Sequence, residues 1–172
     1  SILASAASAK IGADTQLVRT GALYHDIGKM KNPPFFTENQ MKGINPHRDL
    51  PFEQSAQIII SHVTEGIKMA EKAGLPEAII DFIRTHHGAG KAKYFYNSYC
   101  NAHPGEPVDE SLFTYPGPNP FTRETAILMM ADSVEAASRS LNEYTDETIR
   151  ALVNKIIDGQ IADGLMRNAP LT

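Results

Sequence analysis

The stretch FEQSAQIIISHVTEGIKMAEKAG, residues 52–74, decides the fold. Its apolar residues Ile59, Ile60, Val63, Ile67 and Ala70 recur with the period of one helix face, not with the alternation of a strand. Gly74 ends the pattern, as glycine commonly ends helices. His62 lies inside this helix. A lone histidine on a half-apolar helix is ordinarily a satisfied core or surface residue, so His62 by itself says little.

Working outward, the same helical period recurs on both sides. Pro76 suits the first turn of a following helix, PEAIIDFIRTHH. Before residue 52, residues 31–51 hold Pro33, Pro34, Pro46 and Pro51 with little periodicity and read as mostly loop. Asp14 can cap a helix whose apolar side is Leu17, Val18, Leu23 and Ile27, with Gly28 as a stop, and Ser1 to Lys10 is helix-permissive. Thr122 caps RETAILMMADSVEAASRSL, and Thr145 caps a last helix carrying Ile149, Leu152, Val153, Ile156 and Ile157. No stretch alternates with period two, so the expected fold is all-α: one helical domain over residues 1–172.

Residues 88–120 stand apart. They contain five of the eleven prolines, together with Tyr94, Phe95, Tyr96, Tyr99, Phe113 and Tyr115. This reads as a long proline- and aromatic-rich loop, and loops of such length are usually functional or disordered. The aromatic content argues against disorder.

Composition narrows the function classes. A net charge of −4, from 16 basic and 20 acidic residues, gives no overall basicity that suggests polymeric nucleic acid or an anionic membrane surface. Cys100 is the only cysteine, so no intrachain disulfide forms and a reducing compartment is expected. The longest apolar run, AILMMA at 126–131, is too short to span a bilayer.

His25, Asp26, His62, His86, His87 and Asp132 all fall on or at the ends of predicted helices. His86 and His87 could equally be a pair favoured by the helix macrodipole. Asp132 is harder to set aside: it follows AILMM in a helix with apolar turns on either side, and a buried unpaired carboxylate costs several kcal/mol. Imidazole and carboxylate without thiolate favour first-row divalent metals at catalytic rather than structural sites. Two such ions, held by four neutral histidines and two aspartates, keep a net positive charge and open positions, which suits hydrolysis at phosphorus. Lys29, three residues beyond Asp26, could reach a phosphate; a solvated lysine at a helix end is the alternative. His47 and His103 lie in predicted loops and read as structural or surface residues.

HDIGK at 25–29, the histidine of SHVTEG, HHG at 86–88 and AD at 131–132 together resemble the HD-domain metal-dependent phosphohydrolase superfamily. GALYHDIGKMKNPPFFTENQ, NPH, IRTHHGAGKAKYFYNSY, YPGPNP and ETAILMMADSVEAASRSL extend the likeness over nearly the whole chain. They are similar to the cytoplasmic HD domain of the bacterial seven-transmembrane HD family, the PgpH-type cyclic di-AMP phosphodiesterases. The resemblance implies an HD-domain helical bundle with a di-metal site, most often iron or manganese, that hydrolyses cyclic di-AMP to linear pApA. Zinc, cobalt, nickel or magnesium would be ions acquired in preparation. It implies that Asp26 bridges, that His62, His86 and His87 complete one metal site, and that His25 and Asp132 belong to the other. Lys29 then faces the phosphate.

A further histidine ligand of the family aligns upstream of Ser1. The expectation is therefore a chain beginning within its first helix, with the second ion held weakly and turnover reduced. The resemblance also implies tethering to a transmembrane region, without membrane contact by this segment; a homodimer is compatible with the sequence but not specified by it.

Tyr94 and Tyr96 could stack on adenine, and Tyr115 likewise; stacking contributes roughly 1–3 kcal/mol per base. Aromatics that pin a loop to helices would look the same. Arg139, two turns after Asp132, could contact phosphate or form a surface ion pair. Other readings remain: a cyclic-dinucleotide sensor without turnover, or an HD hydrolase acting on cyclic di-GMP or nucleotide monophosphates. The cyclic di-GMP branch has a GYP signature after HHG, where this chain has AGKAKYFYNSY.

Overall fold

In the computed structural model, which describes residues 1–171, most of the 52–74 stretch forms the central helix, Phe52–Lys72. In chain order the helices are α1 (Ile2–Lys10), α2 (Thr15–Tyr24), α3 (Phe52–Lys72), α4 (Glu77–Thr85), α5 (Lys93–Ala102), α6 (Arg123–Ser138) and α7 (Asp146–Ala162). Short 3-10 turns occupy Ile27–Lys31, Pro33–Phe35, Thr37–Asn39, Pro46–Asp49 and Glu110–Phe113. No strand occurs among the described residues; Lys91 and Thr114 form one isolated antiparallel bridge. None of the described helices is long and apolar enough to cross a membrane.

Local chemistry sets the helix ends. Asp14, Thr122 and Thr145 each accept a backbone N–H from the first turn of their helix, and both threonines complete reciprocal caps with Thr125 and Thr148. At the far end of α3, Leu75 N–H donates to Ala70 O and Gly74 takes φ +70°, the left-handed conformation expected of it.

Gly28 behaves otherwise than the helix stop expected. α2 ends at Tyr24, and Gly28 lies inside the 3-10 turn that follows, pressed onto α3. A Cβ on Gly28 would sit 1.8 Å from the His62 carbonyl oxygen. The glycine therefore permits a backbone approach that brings residues 25–29 against the middle of α3.

The segment 88–120 is also more ordered than its composition indicates. α5 forms within it, because Phe95, Tyr96 and Tyr99 pack with Phe113 and Tyr115 against Ala56, Ile60 and Val63 of α3. A second apolar cluster joins Ala4 of α1, Val18 of α2, Phe82 of α4 and Ile127, Leu128 and Ala131 of α6. α3 and α6 thus carry their polar ligand candidates from inside the core, where backbone motion is smallest.

Candidate metal centre

Four separate helical elements deliver the six candidate ligands. His25 is the residue after α2 and Asp26 follows it; His62 projects from the middle of α3; His86 and His87 follow α4; Asp132 lies in the middle of α6. Their donor atoms form two groups, His62 with His86 and His87, and His25 with Asp26 and Asp132, each within 4.8 Å. Asp26 faces both groups. Its Oδ1 is 3.4 Å from His62 Nε2 and 3.5 Å from His86 Nε2, and its Oδ2 is 3.4 Å from His25 Nε2. His25 Nε2 is also 3.4 Å from Asp132 Oδ1.

The backbone settles which ring nitrogen faces inward. Nδ1 of His25, His62 and His86 donates to the carbonyl three residues back, Ala22 at 2.7 Å, Ile59 at 2.5 Å and Ile83 at 2.8 Å. A carbonyl can only accept, so each Nδ1 carries a proton and each neutral ring turns a bare Nε2 lone pair into the site. Nε2 of His62 and Nε2 of His86 then meet at 3.0 Å, and both rings are almost wholly buried.

Two lone pairs placed so repel unless a cation lies between them. A first-row ion about 2.1 Å from each of two nitrogens at a right angle puts those nitrogens about 3.0 Å apart. His25 Nε2, buried and without a hydrogen-bond partner, is a second donor of the same kind. The residues therefore fit divalent cations, and among the described residues these two His/Asp groups are those that could hold one.

The electrostatics agree. Burial opposes ionisation of Asp26, but the imidazoles of His86 and His25 and the Lys29 ammonium around it hold it far below the usual carboxylate range. Asp132 is likewise lowered, chiefly by His25, against the cost of burial. For His25 the balance goes the other way: burial disfavours its charged form, yet Asp132 and Asp26 raise its pKa. That anionic pocket would attract a metal ion in competition with the proton. Burial, then the neighbouring His86, pushes His62 down to about 4, and burial takes His87 well below its ordinary value.

His62 is neutral in the folded chain down to about pH 4 but titrates near 6.5 when unfolded. Its contribution is complete above the unfolded value and is lost as pH falls from about 6.5 to about 4. In chelated protein, the stability difference between wild type and His62→Gln should narrow across that window in denaturant melts. A gap that widens on acidification is the contrary result.

Lys29 adds a cation to the rim: its Nζ lies 2.9 Å from Asp26 Oδ2 and donates to Glu38 Oε1 at 2.6 Å. Two cavities flank the centre. The first, about 690 Å³, is lined by His62, His87 and Tyr115 and by Phe35, Phe36, His47, Tyr94 and Phe95. The second, about 840 Å³, is lined by His25, Asp26 and Asp132 and by residues of α1 and α6. Both are of ligand-pocket size. Lys29, Glu38, His87, Ala136 and Arg139 line both and so lie where the two meet, here called the neck.

Tyr94 and Arg139 thus lie at these cavities, Arg139 paired with Glu135 at 2.9 Å. Tyr115 is buried and stacked on His87, with ring centroids 4.2 Å apart, so its face is already taken by a ligand candidate. Tyr96 lies apart from these two cavities: it donates to Glu110, lies under Lys91 and packs edge-on against Phe113, lining a different cleft. His47 donates from Nε2 to Phe35 O at 2.7 Å while also lining the first cavity, and His103 donates to Tyr99 O. Sequence reasoning passed over Glu38 and Phe36 altogether. Their only signal was position in the loop after HDIGK.

An all-α domain that brings four imidazoles and two carboxylates together at a cleft defines a helical, candidate metal-dependent hydrolase class. The family model described as HD domain matches residues 1–137, and the chain belongs to that family. It is 44% identical over 170 residues to the cyclic-di-AMP phosphodiesterase PgpH of Listeria monocytogenes, covering 99% of this chain and 23% of that protein. Identity to the Bacillus subtilis cyclic-di-AMP phosphodiesterase PgpH is 43% over 170 residues, covering 99% of this chain and 24% of that one. The crystal structure of the L. monocytogenes PgpH HD domain in complex with cyclic-di-AMP superposes with TM-score 0.93 at 44% identity, over 99% of this chain and 78% of that one. The chain therefore spans about a quarter of the length of the curated relatives it matches.

Proposed function

We propose that this chain is a metal-dependent phosphodiesterase domain that hydrolyses cyclic di-AMP to pApA. The observation that carries the reading is the pair of bare, buried Nε2 atoms of His62 and His86, 3.0 Å apart and facing Asp26. The relatives' names supply the substrate.

In this reading His62, His86 and His87 with Asp26 would hold one ion, and His25 and Asp132 with Asp26 would hold the other, iron or manganese in both cases. When bound, such ions polarise phosphoryl oxygens and make hydroxide available at neutral pH. The chain's own residues do the rest. The Nδ1 hydrogen bonds to backbone carbonyls keep the imidazoles oriented. Lys29 neutralises a non-bridging phosphoryl oxygen, and the two cavities take one nucleoside each. Burial of the histidines keeps water away from all but the open cleft. We further infer, from the family resemblance, that the domain faces the cytoplasm of a bacterium and is tethered to membrane-spanning segments of a longer protein.

The test is direct. The chain loaded with Mn²⁺ or Fe²⁺ should convert cyclic di-AMP to pApA, followed by chromatography. Binding without product would favour a sensor; cyclic di-GMP cleaved at a comparable rate would remove the substrate assignment. Lys29→Ala should lower kcat by about 10²-fold, the scale of one lost electrostatic contact, with metal content unchanged. Loss of metal in that variant would make Lys29 structural.

A further inference from the structure

Glu38 stands outside the His/Asp set, yet it binds the side chain that the reaction above places on the phosphate. Three contacts enclose Lys29: Asp26 Oδ2 at 2.9 Å, Glu38 Oε1 at 2.6 Å, and the Phe36 ring, whose centre is 5.2 Å from Nζ. An ammonium has three N–H donors. The two carboxylates occupy two of them, the Phe36 ring faces the same ammonium without taking a hydrogen bond, and Lys29 lines both cavities.

Glu38 is carried there by a buried anchor. Phe36, 5% exposed, packs edge-on against His62 with ring centroids 5.6 Å apart, which fixes the loop two residues before Glu38. A pair this exposed contributes little to stability, since solvent screens it and both side chains lose freedom. Its effect on orientation is another matter. Lysine is a flexible four-carbon stem, and a catalytic contact depends on how much of its motion has already been removed.

We propose that Glu38 is a positioning residue: it holds the Lys29 ammonium at the neck, so that the free N–H meets the phosphodiester as it enters. The proposal rests on the diesterase reading given above, and it assigns the loop after HDIGK a part in the reaction.

The experiment is a double-mutant cycle with an independent labelling arm. In Mn²⁺-loaded protein, Glu38→Gln should lower kcat about tenfold, with KM and metal content little changed, because orientation rather than binding is lost. In the Lys29→Ala background the same substitution should have almost no further effect, and Glu38→Asp should recover part of the activity. An equal loss in both backgrounds, or a loss of metal, would overturn the proposal.

In chelated wild-type protein, acetylation of Lys29 by acetic anhydride should be slow beside that of exposed Lys68, and about fivefold faster in Glu38→Gln as the carboxylate is removed. Unchanged labelling also overturns it. Failure of the wild type to cleave cyclic di-AMP would count against the diesterase reading alone, because labelling reports on the Glu38–Lys29 contact without turnover.

Discussion

Asp26→Asn is expected to strip both ions from the chain and to lower turnover by about 10³-fold or more, the scale of losing metal-assisted hydrolysis. The reason is geometric. Oδ1 faces His62 and His86 while Oδ2 faces His25, so a single carboxylate is shared by both donor groups. The amide has nearly the same shape but neither the charge nor a second acceptor oxygen, and its NH₂ would point at bare histidine nitrogens or at Lys29.

Variants of unshared ligands should be milder. His87→Ala should weaken only the ion of the three-histidine group, and Asp132→Asn only the other. Elemental analysis separates these outcomes, and thermal melts give a second reading. A bound ion at a hundred times its dissociation constant stabilises by about 2.7 kcal/mol. The melting temperature of wild type should therefore rise by several degrees on metal addition, and that of Asp26→Asn should not move. Retention of one tightly held ion by Asp26→Asn would sink the bridging role.

Much of this centre could be named from sequence, though not its geometry. His25, Asp26, His62, His86, His87 and Asp132 could be singled out as imidazoles and carboxylates on or at the ends of predicted helices, but each alone was ordinary, and their grouping came from the likeness to the HD-domain family. Helix starts at Asp14, Thr122 and Thr145 were legible because a cap is a contact between residues three apart. Which histidine nitrogen faces the site was not legible, since it depends on a carbonyl one turn back being free to accept.

α5 was hidden for a related reason. Its N-cap, Ala92, offers no side-chain acceptor, and its buried face is made of aromatics whose partners, Phe113 and Tyr115, come later in the chain. Glu38 was the least legible of all. It meets Lys29 only because Phe36 finds His62, a contact between a loop without periodicity and a helix 26 residues further on. Local patterns describe helices well; they carry no information on how a proline-rich strap lies across them.

Gly28→Ala should be the most destabilising single-methyl change near the centre, by about 3 kcal/mol, the upper end of the usual cost of overpacking, because the surface it meets is backbone that cannot move aside. The new Cβ would lie 1.8 Å from the His62 carbonyl oxygen and 2.6 Å from the Gly66 nitrogen, both backbone atoms of α3. Gly66 is the matching half of the contact, with Gly28 N 3.2 Å from where its own Cβ would be. The Ile83 methyl, a movable side-chain atom, is the nearer neighbour there, so Gly66→Ala should cost less.

Gly43 provides the control. It has φ +82° but nothing within 4 Å of the position a Cβ would take, so alanine there should cost only about 1 kcal/mol of backbone strain. Denaturant melts of the chelated proteins rank the three. Pushing residues 27–31 off α3 also moves Asp26 and Lys29 away from His62, so Gly28→Ala should lose metal affinity at temperatures where it is still folded. If Gly28→Ala proves no less stable than Gly43→Ala, the turn does not rest on α3 as described, and the placement of Asp26 between the two donor groups fails with it.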